Sequence, residues 1–182
     1  MSGGAERNAD LKALIRTIPD FPKPGIQFRD ITTLLLDPVG YAASVKRLAA
    51  MVDGPIDAIA GVEARGFVFG AALAREMGAG LVLVRKRGKL PGKTITEDYA
   101  LEYGSDSLEM HDDAIPKGAR ILLVDDLLAT GGTALAAVRL LRTAGGQVEQ
   151  SLFVIDLPDI GGALKLREAG VSVEALVEFA GD

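Results

Sequence analysis

The sequence is poorest in the side chains that most often bind metals or act as nucleophiles. Its 182 residues include no cysteine, no tryptophan and one histidine, His111. The lack of cysteine excludes disulfides, thiolate nucleophiles, iron–sulfur clusters and cysteine-ligated zinc. A lone histidine excludes sites built from several histidines and allows at most one serine–histidine–aspartate centre. We expect His111 to lie at a surface or an interface rather than to be catalytic.

Long apolar segments and targeting signals are also missing. The longest apolar runs, such as residues 67–74, fall well short of the ~20 residues that a membrane helix needs. The first ten residues, MSGGAERNAD, lack the charged and apolar regions of a signal peptide. The net charge of −5 argues against nucleic-acid binding. We therefore expect a cytoplasmic protein that binds neither membranes nor nucleic acid.

The charge is distributed unevenly along the chain. Residues 85–93, RKRGKLPGK, hold five basic residues and no acid, so the other 173 residues sum to −10. We call residues 85–93 the basic segment. Such a patch on an acidic protein indicates either a local anionic ligand or a solvated surface loop. Residues 88–94, GKLPGKT, resemble a P-loop, but three residues separate the glycines where four are required.

Apolar strands alternate with helices along most of the chain. The pattern predicts one domain over residues 1–182, with residues 1–9 flexible. Helices are predicted over residues 9–18, 38–52, 66–77, 132–144 and 161–169. Strands are predicted over residues 57–62, 81–84, 120–124, 147–155 and 171–177, with an extended arm or hairpin over 86–113. This order favours an α/β fold with a mainly parallel sheet flanked by helices, whose ligands bind at the carboxyl ends of the strands.

The segment ILLVDDLLATGGT, residues 121–133, carries the strongest functional signal. An apolar strand leads into a glycine-rich turn that opens a helix. Backbone N–H groups and the helix dipole make such a turn an anion site, with threonine hydroxyls as further donors. Phosphate would repel the two adjacent aspartates, whereas sugar hydroxyls would donate hydrogen bonds to them. A phosphate beside a diol describes a ribose phosphate; the alternative is a pair of solvated acids before a glycine helix cap.

The turn resembles the phosphoribosyl-pyrophosphate signature of the type I phosphoribosyltransferases. Every position of DDLLATGGT fits, and four further segments are similar to the members of that family that act on adenine: FPKPGIQFRDIT, GVEARGFVFGAALA, VRKRGKLPG and YALEYGSDSLEMH. The similarity runs from about Asp10 to the C-terminus. It implies a small N-terminal hood, a mobile extended loop, a homodimer, and transfer of phosphoribosyl from phosphoribosyl pyrophosphate to adenine, giving AMP and pyrophosphate in purine salvage.

The resemblance also implies roles for individual residues. The ribose hydroxyls would be held by Asp125 and Asp126, and the 5′-phosphate by the turn Ala129, Thr130, Gly131, Gly132 and Thr133. Mg²⁺ would be held mainly by the substrate, with no metal site made by the protein itself. An alternative metal pair at the two aspartates is disfavoured, because adjacent acids diverge on an extended chain.

Adenine would stack on Phe28 and be covered by Leu157, while backbone groups of Gln27 and Arg29 read its edge. On composition alone, Phe28 is equally well explained as a core residue. From the loop motif LEYG, Glu102 would handle the proton on the adenine ring and Tyr103 would contact phosphate. Without the resemblance, a surface role for Glu102 is favoured.

Pyrophosphate would be held by cations that follow two predicted strands. Arg65 follows the strand over 57–62, and a salt bridge to a neighbouring acid is its alternative. The turn that carries it has a non-proline cis peptide in the family, and the matching bond here is Glu63–Ala64. Arg85, Lys86 and Lys89 of the basic segment would complete the site, some of them across a dimer interface. A transferase for 6-oxopurines, or a non-catalytic ribose-phosphate-binding regulator, are the alternative functions.

Overall fold

The computed structural model describes residues 7–100 and 104–181. Its strands are β1 Arg16–Pro19, β2 Gln27–Asp30, β3 Ala58–Val62, β4 Gly80–Lys86, β5 Thr94–Ala100, β6 Ser105–His111, β7 Arg120–Leu128, β8 Gln147–Asp156 and β9 Ser172–Glu178. Its helices are α1 Ala9–Lys12, α2 Thr32–Leu36, α3 Pro38–Ala49, α4 Gly66–Met77, α5 Gly132–Thr143 and α6 Gly162–Glu168. Within these residues, no helix is long and apolar enough to cross a membrane.

The main sheet confirms the predicted α/β class. Over the described residues its strand order is β5-β6-β4-β3-β7-β8-β9, and a separate two-stranded sheet joins β1 to β2. The neighbouring strands β4, β3, β7, β8 and β9 are parallel. Helices α4, α5 and α6 make the crossovers from β3 to β4, from β7 to β8 and from β8 to β9. The hairpin β5–β6 adds to β4 in the antiparallel sense. The carboxyl ends of β3, β4, β7 and β8 therefore share one edge of the sheet.

The apolar core lies on both faces of this sheet. One cluster packs α5 and α6 against it through residues such as Val138, Leu141 and Leu166. The other packs α1, α3 and α4 against the opposite face through Leu48 and Phe69. Strands buried on both faces read as continuous apolar runs, which is why residues 121–124 are predicted so clearly.

The predicted start of α3 and the predicted end of α4 are confirmed by their caps, whereas α3 ends at Ala49, three residues before the predicted residue 52. The Asp37 carboxylate accepts the Gly40 N–H at 2.7 Å, and Pro38 stands at the first helical position. At the end of α4, Gly78 adopts the left-handed conformation, with φ of 66°. Local signals of this kind determine where α3 begins and where α4 ends.

The predicted helix over residues 9–18 is wrong beyond residue 12. Residues 16–19 instead form β1, which pairs with β2 to build the N-terminal hood. The Arg16 guanidinium hydrogen-bonds to Asp30 across this pair and lowers the pKa of Asp30 to about 2. Leu11 and Ile15 are still buried, so their spacing fits the core although the chain leaves the helix between them. Long-range pairing has overridden a helical period.

Candidate active site

A cavity of about 480 Å³ opens at the carboxyl ends of β3, β4 and β7. Its lining includes the aspartate pair, the whole turn over residues 129–133, Arg65 and Lys86. These residues are separated by up to 68 positions in the sequence, and the parallel sheet brings them to one edge.

The turn over residues 129–133 is shaped by close backbone contacts. Gly131 has a φ of 76° and directly precedes α5. A Cβ at Gly131 would lie 2.9 Å from the Gly162 carbonyl oxygen, and one at Gly162 would lie 2.2 Å from the Ala129 carbonyl oxygen. The Lys165 ammonium donates to the Thr130 carbonyl at 2.8 Å. Packing against α6 thus shapes a turn that lines the cavity and opens α5, and N–H groups at the start of a helix can bind an anion.

Asp125 and Asp126 lie within β7, not in a turn after it. The prediction of a strand ending at residue 124 is wrong, because the ladder with β8 continues through Asp125 and Leu127. Asp126 is buried and forms an ion pair with Arg65, while Asp125 Oδ1 accepts the Asp126 N–H at 2.8 Å. Burial, and then the charge of Asp126, raise the pKa of Asp125 well above its usual value. Both carboxylates line the cavity, where they can accept hydrogen bonds from hydroxyls.

Arg65 lines the first cavity and is paired there with Asp126. It precedes α4 and follows the Glu63–Ala64 peptide bond, which is cis. Burial acts to lower the pKa of Arg65, but its hydrogen bond to Asp126 and the nearby acids outweigh this and raise the pKa. The salt bridge offered as the alternative reading of Arg65 is present, yet its side chain is half exposed to the cavity.

The basic segment contributes Lys86 to the described lining of this cavity, and Lys86 forms an ion pair with Asp106 at 3.0 Å. Arg85 lies outside that described lining and donates to both carboxylate oxygens of Glu63, at 3.0 and 3.2 Å. Its hydrogen bond holds the pKa of Glu63 below its usual value. Lys89 also lies outside the described lining, and its carbonyl accepts from Arg85 at 3.0 Å. The structure therefore places Lys86, but neither Arg85 nor Lys89, in the described lining of this cavity.

A second cavity, of about 1060 Å³, adjoins the first beneath the hood. Phe28, Arg29 and Leu157 line it, together with apolar residues such as Ile26 and Ile160. Phe28 is partly exposed to this space, and Phe21 contacts it edge-on with ring centroids 5.2 Å apart. Phe28 is therefore not an ordinary core residue. The two cavities share Arg65, Leu127, Ala129, Thr130 and Gly132.

Two predicted site residues, Glu102 and Tyr103, lie outside the described residues. The sequence analysis in turn missed Glu63, Tyr99 and Asp106, all of which line the first cavity. Tyr99 pairs with Asp106 across the β5–β6 hairpin, and Thr133 Oγ1 donates to the Tyr99 hydroxyl at 3.3 Å. The partial alternation of apolar and polar residues over 99–111 was the sequence signal that could have indicated Tyr99 and Asp106, since alternate residues of a strand face the same side of the sheet.

The comparisons with known proteins agree with this geometry. The family model described as "Phosphoribosyl transferase domain" matches residues 35–159. The adenine phosphoribosyltransferase of Sphingopyxis alaskensis is 60% identical over 174 residues, covering 95% of each chain. The crystal structure of adenine phosphoribosyltransferase from Thermoanaerobacter pseudethanolicus is 48% identical, with a TM-score of 0.90 over 93% of this chain and 98% of that one. The yeast enzyme, complexed with an imino-altritol bisphosphate and adenine, is 38% identical, with a TM-score of 0.86 over 92% and 97%.

Proposed function

Since the chain belongs to the adenine phosphoribosyltransferase family of purine salvage enzymes, we propose that its two joined cavities bind phosphoribosyl pyrophosphate and adenine and form AMP and pyrophosphate. The observation that carries this proposal is the shared wall between the cavities. It sets a site of hydroxyl acceptors and anion-binding N–H groups directly beside a wide, largely apolar one. A sugar carbon held in the first would thus meet a flat base held in the second.

In the first cavity, the turn over residues 129–133 would hold the 5′-phosphate, and Asp125 and Asp126 would hold the ribose hydroxyls. Positive charge develops on the sugar as pyrophosphate departs, and the adjacent carboxylates would stabilise it. To reach the hydroxyls, Asp126 must give up part of its pairing with Arg65. Arg65 is then available to pyrophosphate, which supplies the negative charge that Asp126 supplies in this structure.

Pyrophosphate would be bound by Arg65 and Lys86, the two cations among the described residues that line the first cavity. Arg85 and Lys89 would act indirectly, through the hydrogen bonds that connect them to Glu63, or directly at the site of a partner copy. In the second cavity, Phe28 and Leu157 would enclose adenine, with the backbones of Gln27 and Arg29 at its edge. From the resemblance of the loop, we assign the proton on the adenine ring to Glu102 and a phosphate contact to Tyr103.

Magnesium would enter as the counterion of phosphoribosyl pyrophosphate. Within the described residues, no cluster of three or more His, Cys, Asp or Glu side chains forms a metal site. Carboxylate oxygens such as those of Asp125 are the ligands Mg²⁺ prefers, but an octahedral shell needs more oxygens than the pair supplies. The residues therefore fit an ion coordinated chiefly by substrate oxygens and water, which neutralises the leaving group.

The assignment predicts strict use of adenine. With phosphoribosyl pyrophosphate and Mg²⁺, we expect AMP from adenine, and turnover with hypoxanthine, guanine or xanthine at least about 100-fold lower, because a 6-oxo group leaves edge-reading backbone groups unpaired. Chromatographic identification of each nucleotide tests this. IMP or GMP as the main product would show the 6-oxopurine alternative to be correct, and ribose-phosphate binding without any nucleotide would favour the regulator.

We also propose a single-domain cytoplasmic protein that forms a homodimer. An exposed apolar face supports the dimer: Val68 of α4 and Leu81 and Leu83 of β4 are 37–41% exposed. Leu81 lies against α4, since a Cβ at Gly70 of α4 would lie 3.4 Å from the Leu81 side chain. Apolar faces of this kind are typical of subunit interfaces. Leu81 and Leu83 belong to the same strand as Arg85 and Lys86, so a partner copy on this face would approach the pyrophosphate end of the site.

The dimer proposal predicts that Leu81→Asp with Leu83→Asp dissociates the protein, because two carboxylates would be buried without partners. Sedimentation equilibrium should give the mass of two chains for the parent protein and of one for the variant. Leu164→Asp is the matched control, since Leu164 is 60% exposed on α6, which packs on the other face of the sheet. Dissociation by Leu164→Asp but not by the double variant would place the interface elsewhere.

A further inference from the structure

Glu109 is a buried carboxylate for which the proposed reaction has no use. It lies on β6, is 4% exposed, and pairs in register with Arg85 of β4 and Thr96 of β5. A buried carboxylate is costly unless its oxygens are hydrogen-bonded. Its position is also unexpected on charge alone, because a negative charge beside the basic segment weakens the attraction of that segment for an anion.

The carboxylate of Glu109 binds the backbone of the basic segment. Its Oε1 accepts the N–H groups of Lys89 and Leu90, each at 2.8 Å. Burial acts to raise the pKa of Glu109, but hydrogen bonds from the Leu90, Gly88 and Lys89 backbones outweigh it and hold the pKa below its usual value. Residues 88–90 thus wrap around Glu109 much as a phosphate-binding loop wraps around a phosphate.

This contact shows what the backbone at the start of the P-loop-like segment, residues 88–94, binds in place of a nucleotide. The N–H groups that a P-loop offers to a nucleotide are occupied here by a side chain of the same protein. Residues 88–90 are therefore not an anion site of their own. They form a turn whose path is set by Glu109.

The turn is connected to the first cavity through a short series of hydrogen bonds. The Lys89 carbonyl accepts from Arg85, and Arg85 holds both carboxylate oxygens of Glu63. Glu63 also accepts the Lys86 N–H at 3.0 Å, and both Glu63 and Lys86 line the cavity. A change in the path of residues 88–90 would therefore reach the cation that faces pyrophosphate.

We infer that Glu109 is a positioning residue for phosphoribosyl pyrophosphate: its buried carboxylate fixes the backbone of residues 88–90 and thereby, through Arg85, the placement of Glu63 and Lys86 at the pyrophosphate end of the cavity. The inference rests on the proposed function, because it requires that this end of the cavity binds pyrophosphate. Glu109 itself does not touch the substrate in this assignment.

The test compares Glu109→Gln and Glu109→Asp with the parent protein. Gln keeps the shape of the side chain but loses its charge, and Asp keeps the charge but withdraws it by one methylene. We expect each to raise the KM for phosphoribosyl pyrophosphate about tenfold and to weaken the binding of magnesium pyrophosphate to a similar extent, since two charge-assisted hydrogen bonds are weakened. The KM for adenine should change less than about twofold, because its cavity is built from other residues.

The matched control is Asp57→Asn. Asp57 also accepts a backbone N–H, from Arg120 at 2.7 Å, but at the opposite edge of the sheet. The KM values of the Asp57→Asn variant for both substrates should equal those of the parent protein. Steady-state kinetics with each substrate varied, and titration calorimetry with magnesium pyrophosphate, supply the readouts.

The outcomes separate positioning from simple electrostatics. If Glu109 acted only through its charge, Gln would lower the KM for phosphoribosyl pyrophosphate and Asp would leave it unchanged, and either result overturns the inference. Equal increases in both KM values would indicate general damage and would also overturn it. If Glu109→Gln fails to fold, the KM of Glu109→Asp for phosphoribosyl pyrophosphate decides the test alone, because this variant keeps the charge. Failure of the parent protein to form AMP would instead reject the proposed function.

Discussion

Asp125→Asn is expected to make the protein more stable and far less active. The Asp125 carboxylate is raised in pKa by burial and by the neighbouring Asp126, so its ionisation costs folding free energy at neutral pH. Asparagine removes this cost, and its amide oxygen can still accept the Asp126 N–H. The melting temperature should rise by a few degrees. By contrast, kcat/KM for phosphoribosyl pyrophosphate should fall about 100-fold, because a charged acceptor for ribose is lost beside the developing positive charge.

The pH dependence of the stability gives a sharper test. A carboxyl group whose pKa is raised by folding keeps its proton longer in the folded state, so its contribution to stability falls as the pH rises through that pKa. The melting temperatures of the variant and the parent should therefore differ most near pH 8 and converge near about pH 4. Calorimetric melting over this range measures the difference. A constant difference would show that the ionisation of Asp125 is not its cause.

Asp126→Asn provides the contrast within the same pair. Asp126 forms an ion pair with Arg65 and is 5% exposed, so its replacement leaves the Arg65 guanidinium without its charged partner. We expect this variant to lose both stability and activity. If the two variants changed stability in the same direction, the different environments of the two carboxylates would not govern their effects.

The sequence was most informative where the signals are local. The cap at Asp37, the end of α4 at Gly78 and the start of α5 at Gly132 were placed correctly, because a proline, an aspartate or a glycine fixes the backbone within a few residues. The parallel sheet followed from the order of these elements, and the sheet in turn predicted which residues meet at its edge.

The failures arose where distant segments decide the outcome. Residues 16–19 become a strand because Arg16 and its neighbours pair with residues 27–30, and β7 runs past Asp125 because β8 continues beside it. The contact of Arg85 with Glu63 and of Glu109 with the Lys89 backbone depends on the register of three strands, which no local pattern reveals. Charge alone left an anionic ligand and a solvated loop as alternatives for the basic segment, and it gave no sign that Arg85 and the Lys89 backbone bind the acids Glu63 and Glu109.

Gly162→Ala is expected to abolish most of the activity although Gly162 contacts substrate in none of the assignments above. A Cβ at this position would lie 2.2 Å from the Ala129 carbonyl oxygen and 2.8 Å from the Gly131 nitrogen. Both atoms belong to the backbone of the phosphate-binding turn, so the turn itself must move. A displacement of about 1 Å at such a site can reduce the rate about 100-fold, and overpacking of this kind costs about 1–3 kcal/mol of stability.

Local propensity makes the opposite prediction for Gly162→Ala, which gives the experiment its value. Gly162 is the first residue of α6 and has no positive φ, so alanine should by itself favour the helix. Gly80→Ala is the matched control, because a Cβ at Gly80 would make only an ordinary contact of 3.5 Å with Ala58. We expect Gly80→Ala to retain the parent kcat/KM and melting temperature, and Gly162→Ala to retain less than about 1% of the kcat/KM for phosphoribosyl pyrophosphate. Equal activity of the two variants would show that the contact between the turn and α6 does not shape the phosphate site.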